Sequence, residues 1–316
     1  MNRSNSDTLS SFSRRAFLAS AGAAPMMAAA ERYRLGCMTS LYATLPLADA
    51  LGRIRKLGYR YAAPARAHAG ETVYAADLPA SKRTEVRQKF RDQGVEPFMA
   101  LGGFGDVHLP GKLDPYRADL DLGASFGIPV IVGWGPWYYR TFPNIPRTVR
   151  DWEKEMAQYL PALEKLVRHA ESAGVTLAMK PHTGVTANAK VCMELLKRIP
   201  SERLKICWDA GNVSFYEGIH PDPDLPELAP QVRGVCIKDH LGLRGDANFP
   251  TPGQGHIDHE QMFRTLFGAG FNGPMAIERV DGRDKKPNLT PEMTDERLAA
   301  AYRHLTSVLD RVTAPA

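Results

Sequence analysis

Ala173-Gly174-Val175-Thr176-Leu177-Ala178-Met179-Lys180 joins the end of a helical pattern to a short apolar run. Glycine ends a helix without a steric cost, because it readily adopts the left-handed conformation that the helix cap requires. The run at 176–180 is apolar and begins with a β-branched residue, as expected of a strand inside a sheet. A helix that leads directly into a buried strand is typical of α/β proteins with a parallel sheet.

The same junction recurs along the chain at Gly58, Gly94 and Gly127. The resulting alternation predicts eight strands, at residues 34–38, 59–63, 96–101, 129–133, 176–180, 205–209, 234–238 and 275–278. Eight strands that alternate with helices predict a closed (β/α)8 barrel, the TIM barrel, as a single α/β domain over residues 31–316. An open doubly wound sheet would alternate in the same way, but no Gly-x-Gly-x-x-Gly follows the first strand.

Amphipathic segments predict the helices, at residues 47–57, 81–93, 115–126, 149–172, 187–199, 259–269 and 291–312. The stretch at 215–230 contains four prolines, which predict a short or irregular segment there. In this fold catalytic groups come from the carboxyl ends of the strands, so candidate site residues are sought at those positions.

Composition and charge narrow the class of protein. The chain has 316 residues, of which 44% are hydrophobic and 24% charged, as is usual for one large globular domain. Its formal net charge of +5 is too small to favour nucleic acid as a partner. The four cysteines form no Cys-x-x-Cys pair and three of them lie in apolar runs, so we expect buried thiols rather than disulfides.

The amino terminus resembles a twin-arginine export signal. Ser13-Arg14-Arg15-Ala16-Phe17-Leu18 precedes an alanine-rich run that reaches Ala30. An apolar run of about fifteen residues is too short for a stable membrane span. We therefore expect residues 1–30 to be a signal peptide and the protein to be exported, to the periplasm or the extracellular space; a disordered basic tail is the alternative.

Four strand-end stretches carry a resemblance to a known family. They lie at residues 177–184, 206–212, 235–240 and 274–278, and a Gly-x-Gly followed by an acid lies at 252–258. In order and spacing they are similar to the xylose isomerase-like TIM barrel family of sugar phosphate isomerases and epimerases, which is related to AP endonuclease family 2. The resemblance covers about residues 33 to 312 and implies the same barrel.

The resemblance also implies a divalent metal, Mn²⁺ or Mg²⁺, bound by residues that this sequence keeps only in part. Asp209 and Glu278 match the ligands that follow strands six and eight, but Lys180 replaces a glutamate and Cys236 a histidine. A protonated lysine has no lone pair to offer and repels a cation. Both a site without a metal and a rearranged one, with Asp209, Glu278 and either His182 or His240 as ligands, stay open.

Lys180 could supply the positive charge that a metal ion supplies in the family. Flanked by Asp209 and Glu278, its ammonium group would stand where the family places its metal, and could polarise a substrate carbonyl or stabilise an enediolate. Glu278 is the candidate general base, with a pKa expected to be tuned upward. The alternative is an ion pair that fills the space of a lost metal in a barrel that binds sugar without turning it over.

Further residues are candidates for substrate binding: His182, Asn212, Lys238, His240 and Trp137. Both histidines are expected to point inward. Asn212 stands where the family often has a histidine, and its amide can bond a hydroxyl but cannot titrate. Trp137 belongs to an aromatic loop that can stack on a sugar or simply pack under a lid.

The function implied by the resemblance is that of an isomerase or epimerase for a sugar, keto-sugar or cyclitol, acting by proton transfer next to a carbonyl. A keto-sugar lyase would share the same enediolate-like intermediate, and a non-catalytic carbohydrate-binding barrel is the second class. The expected partner is a small carbohydrate, while a homo-oligomer stays open. The endonuclease branch is disfavoured, because its chemistry needs more His, Asp and Glu ligands than remain here.

Overall fold

Strands and helices alternate through the residues that the computed structural model describes, 32–282 and 289–314. The predicted signal at 1–30 lies outside those residues. The barrel strands are β1 (Arg34–Met38), β2 (Tyr61–Ala63), β3 in two pieces (Glu96–Pro97 and Ala100–Gly103), β4 (Val130–Gly133), β5 (Thr176–Met179), β6 (Leu204–Trp208), β7 (Val232–Ile237) and β8 (Pro274–Ile277). The helices are α1 (Leu47–Lys56), α2 (Ala80–Asp92), α3 (Leu113–Ser125), α4 (Val149–Ala173), α5 (Ala189–Arg198), α6 (Ala210–Glu217), α7 (Leu225–Leu228), α8 (His259–Gly268) and α9 (Pro291–Val312).

The strands form one parallel sheet that nearly closes on itself. Its order runs from the first piece of β3 through β2, β1, β8, β7, β6, β5 and β4 to the second piece of β3. Both ends of the sheet belong to β3. In the described part of the chain, the ring is therefore open only between the two pieces of β3, at Phe98 and Met99. The predicted TIM barrel is confirmed.

The strand predicted at 96–101 is interrupted, which corrects the sequence-based assignment. Its first piece pairs only with β2 and its second only with β4. Pro97 ends the first piece, and proline has no backbone N–H to donate to a strand ladder. Phe98 then turns into the barrel, where its ring stacks on Tyr61 with the ring centres 5.4 Å apart.

Small side chains fill the barrel interior just below its carboxyl end. Ala178, Cys207, Cys236 and Ala276 belong to the inner apolar cluster and come from β5, β6, β7 and β8. Side chains in a strand alternate between faces, so the inward position above each of them is two residues further along the chain. The small interior layer therefore leaves room for four longer side chains above it.

The cysteines are all buried free thiols, as predicted. The closest pair is Cys207 and Cys236, whose sulfur atoms lie 3.6 Å apart inside the barrel.

The two ends of α4, which leads into β5 at Gly174, are formed as the sequence predicts. The Thr148 side chain caps α4 by accepting a hydrogen bond from the Asp151 N–H, and the helix ends at Gly174, whose φ is 73°. The segment at 215–230 is short and irregular, as predicted: α6 starts directly after β6 and ends at Glu217, and only α7, of four residues, and a 3-10 turn at Ala229–Gln231 follow before β7. The prolines all lie beyond α6, so they do not interrupt it.

Among the described helices, none is long and apolar enough to cross a membrane.

Candidate active site

Four charged side chains meet at the carboxyl end of the barrel. Lys180, Asp209, Lys238 and Glu278 are each the first residue after β5, β6, β7 and β8, two positions beyond the small interior layer. Lys180, Asp209 and Lys238 are 4%, 0% and 5% exposed, and the Glu278 side chain is 18% exposed. We call these four residues the charged quartet.

Each ammonium group of the quartet contacts both carboxylates. Lys180 Nζ lies 2.9 Å from each Glu278 oxygen and 3.6 Å from Asp209 Oδ2. Lys238 Nζ lies 3.0 Å from Glu278 Oε2 and 3.2 Å from Asp209 Oδ2. Two positive and two negative charges therefore balance one another in a buried site, where unpaired charges would be very costly.

The charges of the quartet set its protonation. Burial acts to lower the pKa of Lys180, but Glu278 and Asp209 outweigh it and hold that pKa well above its ordinary value. Burial acts to raise the pKa of Glu278, but Lys180 and Lys238 hold it below the usual carboxylate range. The expectation of an upward-tuned Glu278 is thus wrong for the unliganded protein, because the contact of a second lysine was not foreseen.

Asn212 supports the quartet through its backbone N–H and its side-chain oxygen. Its backbone N–H donates to Asp209 Oδ1, which caps α6, and its side-chain Oδ1 accepts from Lys238 Nζ at 3.0 Å. Its side-chain NH₂ donates to the Pro181 carbonyl oxygen at 2.7 Å. Asn212 also lines the cavity described next, but its amide is already engaged in holding Lys238 and the turn after β5.

A cavity of about 440 Å³ opens above the quartet. Lys180, Lys238, Glu278 and His182 contribute polar groups to it. Its wall is largely aromatic, formed by Trp134, Trp137, Phe142, Phe215, Tyr216 and Phe249. A concave site of this size with a few convergent polar groups suits a small ligand, and flat rings suit the C–H faces of a sugar. We call it the inner cavity.

His182 presents a neutral ring to the inner cavity. Its Nε2 is 2.8 Å from the Tyr216 hydroxyl, and its ring stacks on Trp134 with ring centres 5.9 Å apart. Burial and the positive charges of Lys180 and Lys238 lower the pKa of His182 to about 3. Its buried Nδ1 has no hydrogen-bond partner among the described residues, so it is available to a ligand.

His240 does not reach the inner cavity, contrary to the sequence-based expectation. It is fully buried, with Nδ1 2.8 Å from Ser214 Oγ and Nε2 2.7 Å from the Asp246 carbonyl oxygen. β7 ends at Ile237, so strand alternation no longer directs a side chain three residues later. His240 therefore fastens the loop after β7 to α6 rather than contacting a substrate.

The Gly-x-Gly motif is held by Asp239. Its carboxylate accepts hydrogen bonds from four backbone N–H groups, those of His240, Gly253, Gly255 and Ile257. A Cβ on Gly255 would lie 2.2 Å from Asp239 Oδ1, so glycine is required for this close approach. The motif is thus a structural anchor beside the site.

Comparison with known families assigns the barrel. The family described as xylose isomerase-like TIM barrel matches residues 51–305. The chain belongs to this family. A comparison with curated protein sequences found no match.

Solved structures agree on the fold of this xylose isomerase-like barrel. A xylose isomerase domain protein from Planctomyces limnophilus has a TM-score of 0.66 at 19% identity, over 84% of this chain and 94% of that one. D-psicose 3-epimerase with D-tagatose, from Clostridium cellulolyticum H10, has a TM-score of 0.66 at 14% identity, over 87% and 99%. For 3-keto-D-glucoside 4-epimerase from E. coli, the TM-score is 0.64 at 16% identity, over 86% and 99%.

The donor set of this xylose isomerase-like barrel does not fit a divalent cation such as Mg²⁺ or Mn²⁺. Ligand atoms of Asp209, Cys236 and Glu278 lie within 4.8 Å of one another. However, both carboxylates already contact two ammonium groups, which would repel a metal ion. The hydrogen bond with Cys207 and burial raise the pKa of the Cys236 thiol, and a protonated thiol is a poor partner for a hard cation.

Several residues of the inner cavity were missed by sequence reasoning, among them Tyr216, Phe249 and Arg279. The Arg279 guanidinium lies 4.4 Å from the centre of the Phe249 ring and pairs with Asp281. Arg279 directly follows Glu278, so its position after a strand end was a usable signal. Phe249 lies in the loop after β7 and Tyr216 in an unpredicted helix, so neither position gave a comparable signal in the sequence.

The pKa of His182 predicts how stability depends on pH. Since the folded pKa is about 3 and the ordinary value is 6.5, the unfolded chain binds more protons between these values. Stability is therefore fully present above about pH 6.5 and declines as the pH falls toward 3, by up to about 1.4 kcal/mol per pH unit. Urea unfolding between about pH 7 and pH 4 should show a shallower decline for His182→Asn than for the unchanged chain.

The half-buried His169 gives a matched control, because it lies on α4 and contacts Asp121 outside the inner cavity. His169→Asn should keep the decline of the unchanged chain. An equally steep decline in His182→Asn would show that this histidine is not the group that titrates.

Proposed function

We propose that this chain is a sugar-processing enzyme of the xylose isomerase-like family that transfers a proton next to a carbonyl, isomerising or epimerising a sugar, keto-sugar or cyclitol. One observation carries the proposal: two buried ammonium groups contact the Glu278 carboxylate at the floor of an aromatic cavity. The structural similarity to epimerases for D-psicose and 3-keto-D-glucoside supports the choice of sugars.

In the proposed reaction, the quartet supplies the positive charge that stabilises the intermediate. The substrate carbonyl oxygen accepts hydrogen bonds from Lys180 and Lys238, which then no longer donate fully to Glu278. Because those contacts hold the Glu278 pKa low, their loss raises its basicity when substrate binds. A buried and fixed ammonium stabilises a developing enediolate without needing solvent to reorganise.

Glu278 is the proposed proton acceptor. It takes the proton from the carbon next to the carbonyl, and the electron pair of that C–H bond moves into the enediolate, whose oxygen faces Lys180. Return of the proton to the former carbonyl carbon, with transfer of the hydroxyl proton to the former carbonyl oxygen, gives the isomer. Protonation of the original carbon by water on the opposite face, with release of the Glu278 proton to water, gives the epimer. Loss of a leaving group from the same intermediate would make the enzyme a lyase.

His182 and Trp137 bind and orient the sugar. When His182 Nε2 carries the proton and donates it to Tyr216, the free Nδ1 accepts a hydrogen bond from a sugar hydroxyl. Trp137, 42% exposed at the cavity wall, offers a ring for stacking. We also infer that the enzyme acts outside the cytoplasm, on the basis of the twin-arginine motif at Arg14 and Arg15.

A non-catalytic carbohydrate-binding barrel is the second candidate, and one observation favours it. Every charge of the quartet is paired within the protein, so the site is electrostatically complete without a ligand. Such a barrel would bind sugar in the inner cavity and leave all its C–H bonds intact.

Deuterium exchange separates these candidates. The purified chain is incubated in D₂O with a panel of keto-sugars, and loss of the ¹H NMR signal next to the carbonyl is followed. We expect exchange with at least one sugar of the panel, and an equal rate for Lys154→Met, which replaces an exposed lysine on α4. Saturable sugar binding with no exchange would reject the enzyme and support the binding barrel.

A further inference from the structure

A second and larger cavity lies beside the inner one. Its volume is about 640 Å³, and it shares Trp134 and Trp137 with the inner cavity as lining residues. The backbone at the end of β3 and just beyond it forms another part of its wall, at Gly102, Gly103 and Gly105. We call it the outer cavity.

The outer cavity contains a buried histidine with an unused nitrogen. The His108 side chain is only 4% exposed, and its Nε2 lies 3.3 Å from Glu155 Oε1. Its Nδ1 is buried and has no hydrogen-bond partner in the described part of the chain. A buried polar atom without a partner is costly, so this nitrogen is suited to a ligand that completes its hydrogen bonding.

Both paired and unpaired charged side chains line the outer cavity together with His108. Glu155 is also paired with Arg147, which lines the same cavity. Arg140 lines it as well, but it is exposed and makes neither a hydrogen bond nor an ion pair with any described residue. The outer cavity thus offers one free guanidinium and one free imidazole nitrogen, both able to bond sugar hydroxyl groups.

Trp137 connects the two cavities physically. Its ring meets Tyr139, on the side of the outer cavity, at 5.9 Å and His182, on the side of the inner cavity, at 5.6 Å between ring centres. Both contacts are edge-to-face. An aromatic side chain shared by two adjacent cavities is placed to contact two successive sugar rings.

We propose that the outer cavity binds a second sugar ring, so that the preferred ligand is a disaccharide or another glycoside whose reacting ring occupies the inner cavity. The identity of the reacting ring rests on the proposed function. The preference for two rings rests on His108, Arg140 and the shared tryptophans, and it can be measured as binding without any turnover.

Isothermal titration calorimetry with the purified chain tests this preference. The probes are D-fructose and three disaccharides in which D-fructose carries glucose at different hydroxyls, namely turanose, maltulose and palatinose. We expect at least one disaccharide to bind about tenfold more tightly than D-fructose, a difference that corresponds to about 1.4 kcal/mol. In Arg140→Ala and in His108→Gln this ratio should fall toward one, whereas the matched control Arg150→Ala should keep it.

The outcomes separate this proposal from the proposed function. It is overturned if no disaccharide binds more tightly than D-fructose, or if the ratio survives in both Arg140→Ala and His108→Gln. Arg140 is exposed, so its variant decides the matter if His108→Gln does not fold. A preference for disaccharides with no deuterium exchange would support the second sugar site and reject the enzyme. Exchange without the preference would support the enzyme and reject the second sugar site.

Discussion

Lys180→Met is expected to lower the rate of deuterium exchange into a keto-sugar by about 10²- to 10³-fold, the effect of removing one electrostatic group from a preorganised site. The variant keeps an unbranched side chain, one atom shorter, and removes the ammonium that lies 2.9 Å from both Glu278 oxygens. The enediolate would then face one positive charge, from Lys238, instead of two. Steady-state exchange rates followed by NMR measure the loss.

A loss of folding could mimic this result, because removing one partner from a buried ion pair costs about 3–5 kcal/mol. Lys180→Arg keeps the charge and should retain more activity and stability than Lys180→Met, and urea unfolding of both variants reports the stability. Added Mn²⁺ or Mg²⁺ should not restore exchange to Lys180→Met. Exchange at the rate of the unchanged chain in a folded Lys180→Met would remove Lys180 from the mechanism.

Glu278→Gln is expected to reduce exchange by about 10²- to 10⁴-fold, the usual contribution of a general base. The amide has nearly the shape of the carboxylate but cannot accept the proton from carbon. The substitution also leaves Lys180 and Lys238 facing a single carboxylate, that of Asp209, so the free energy of unfolding should fall as well.

The double variant Lys180→Met, Glu278→Gln distinguishes the electrostatic cost from the chemical one. It contains one ammonium and one carboxylate, Lys238 and Asp209, so its charges balance again. We expect it to be more stable than the sum of the two single changes predicts, since contacting residues are coupled, but to remain inactive. Additive losses of stability would show that the two side chains do not interact as the distances indicate.

The composition of the site could be predicted from the sequence because it follows from strand periodicity. Ala178 and Lys180 are two residues apart, as are Cys207 and Asp209, so a strand that turns the first member of a pair inward turns the second inward too. The same rule predicts that Lys238 points inward, but it does not predict how far the flexible lysine side chain extends. The sequence therefore predicts Lys238 at the inner cavity, but not its contacts with Asp209 and Glu278.

The predictions that failed depended on structure that no local pattern encodes. His240 lies three residues beyond the end of β7, where loop geometry rather than alternation sets the direction of a side chain. The break in β3 arises because its two pieces pair with different neighbours at the point where the barrel closes. The outer cavity joins the ends of β3 and β4 with Tyr116 of α3 and Glu155 of α4, a tertiary arrangement that a single sequence does not show.

The role assigned to the quartet can be tested by the metal content of an active preparation. Once a keto-sugar with measurable exchange is known, inductively coupled plasma mass spectrometry of the same protein sample gives the number of divalent ions per chain. The quartet predicts a value far below one, with an exchange rate that does not vary with residual metal. A value near one, with activity that rises in proportion to bound Mn²⁺ or Mg²⁺, would contradict the proposal that the lysines replace the metal.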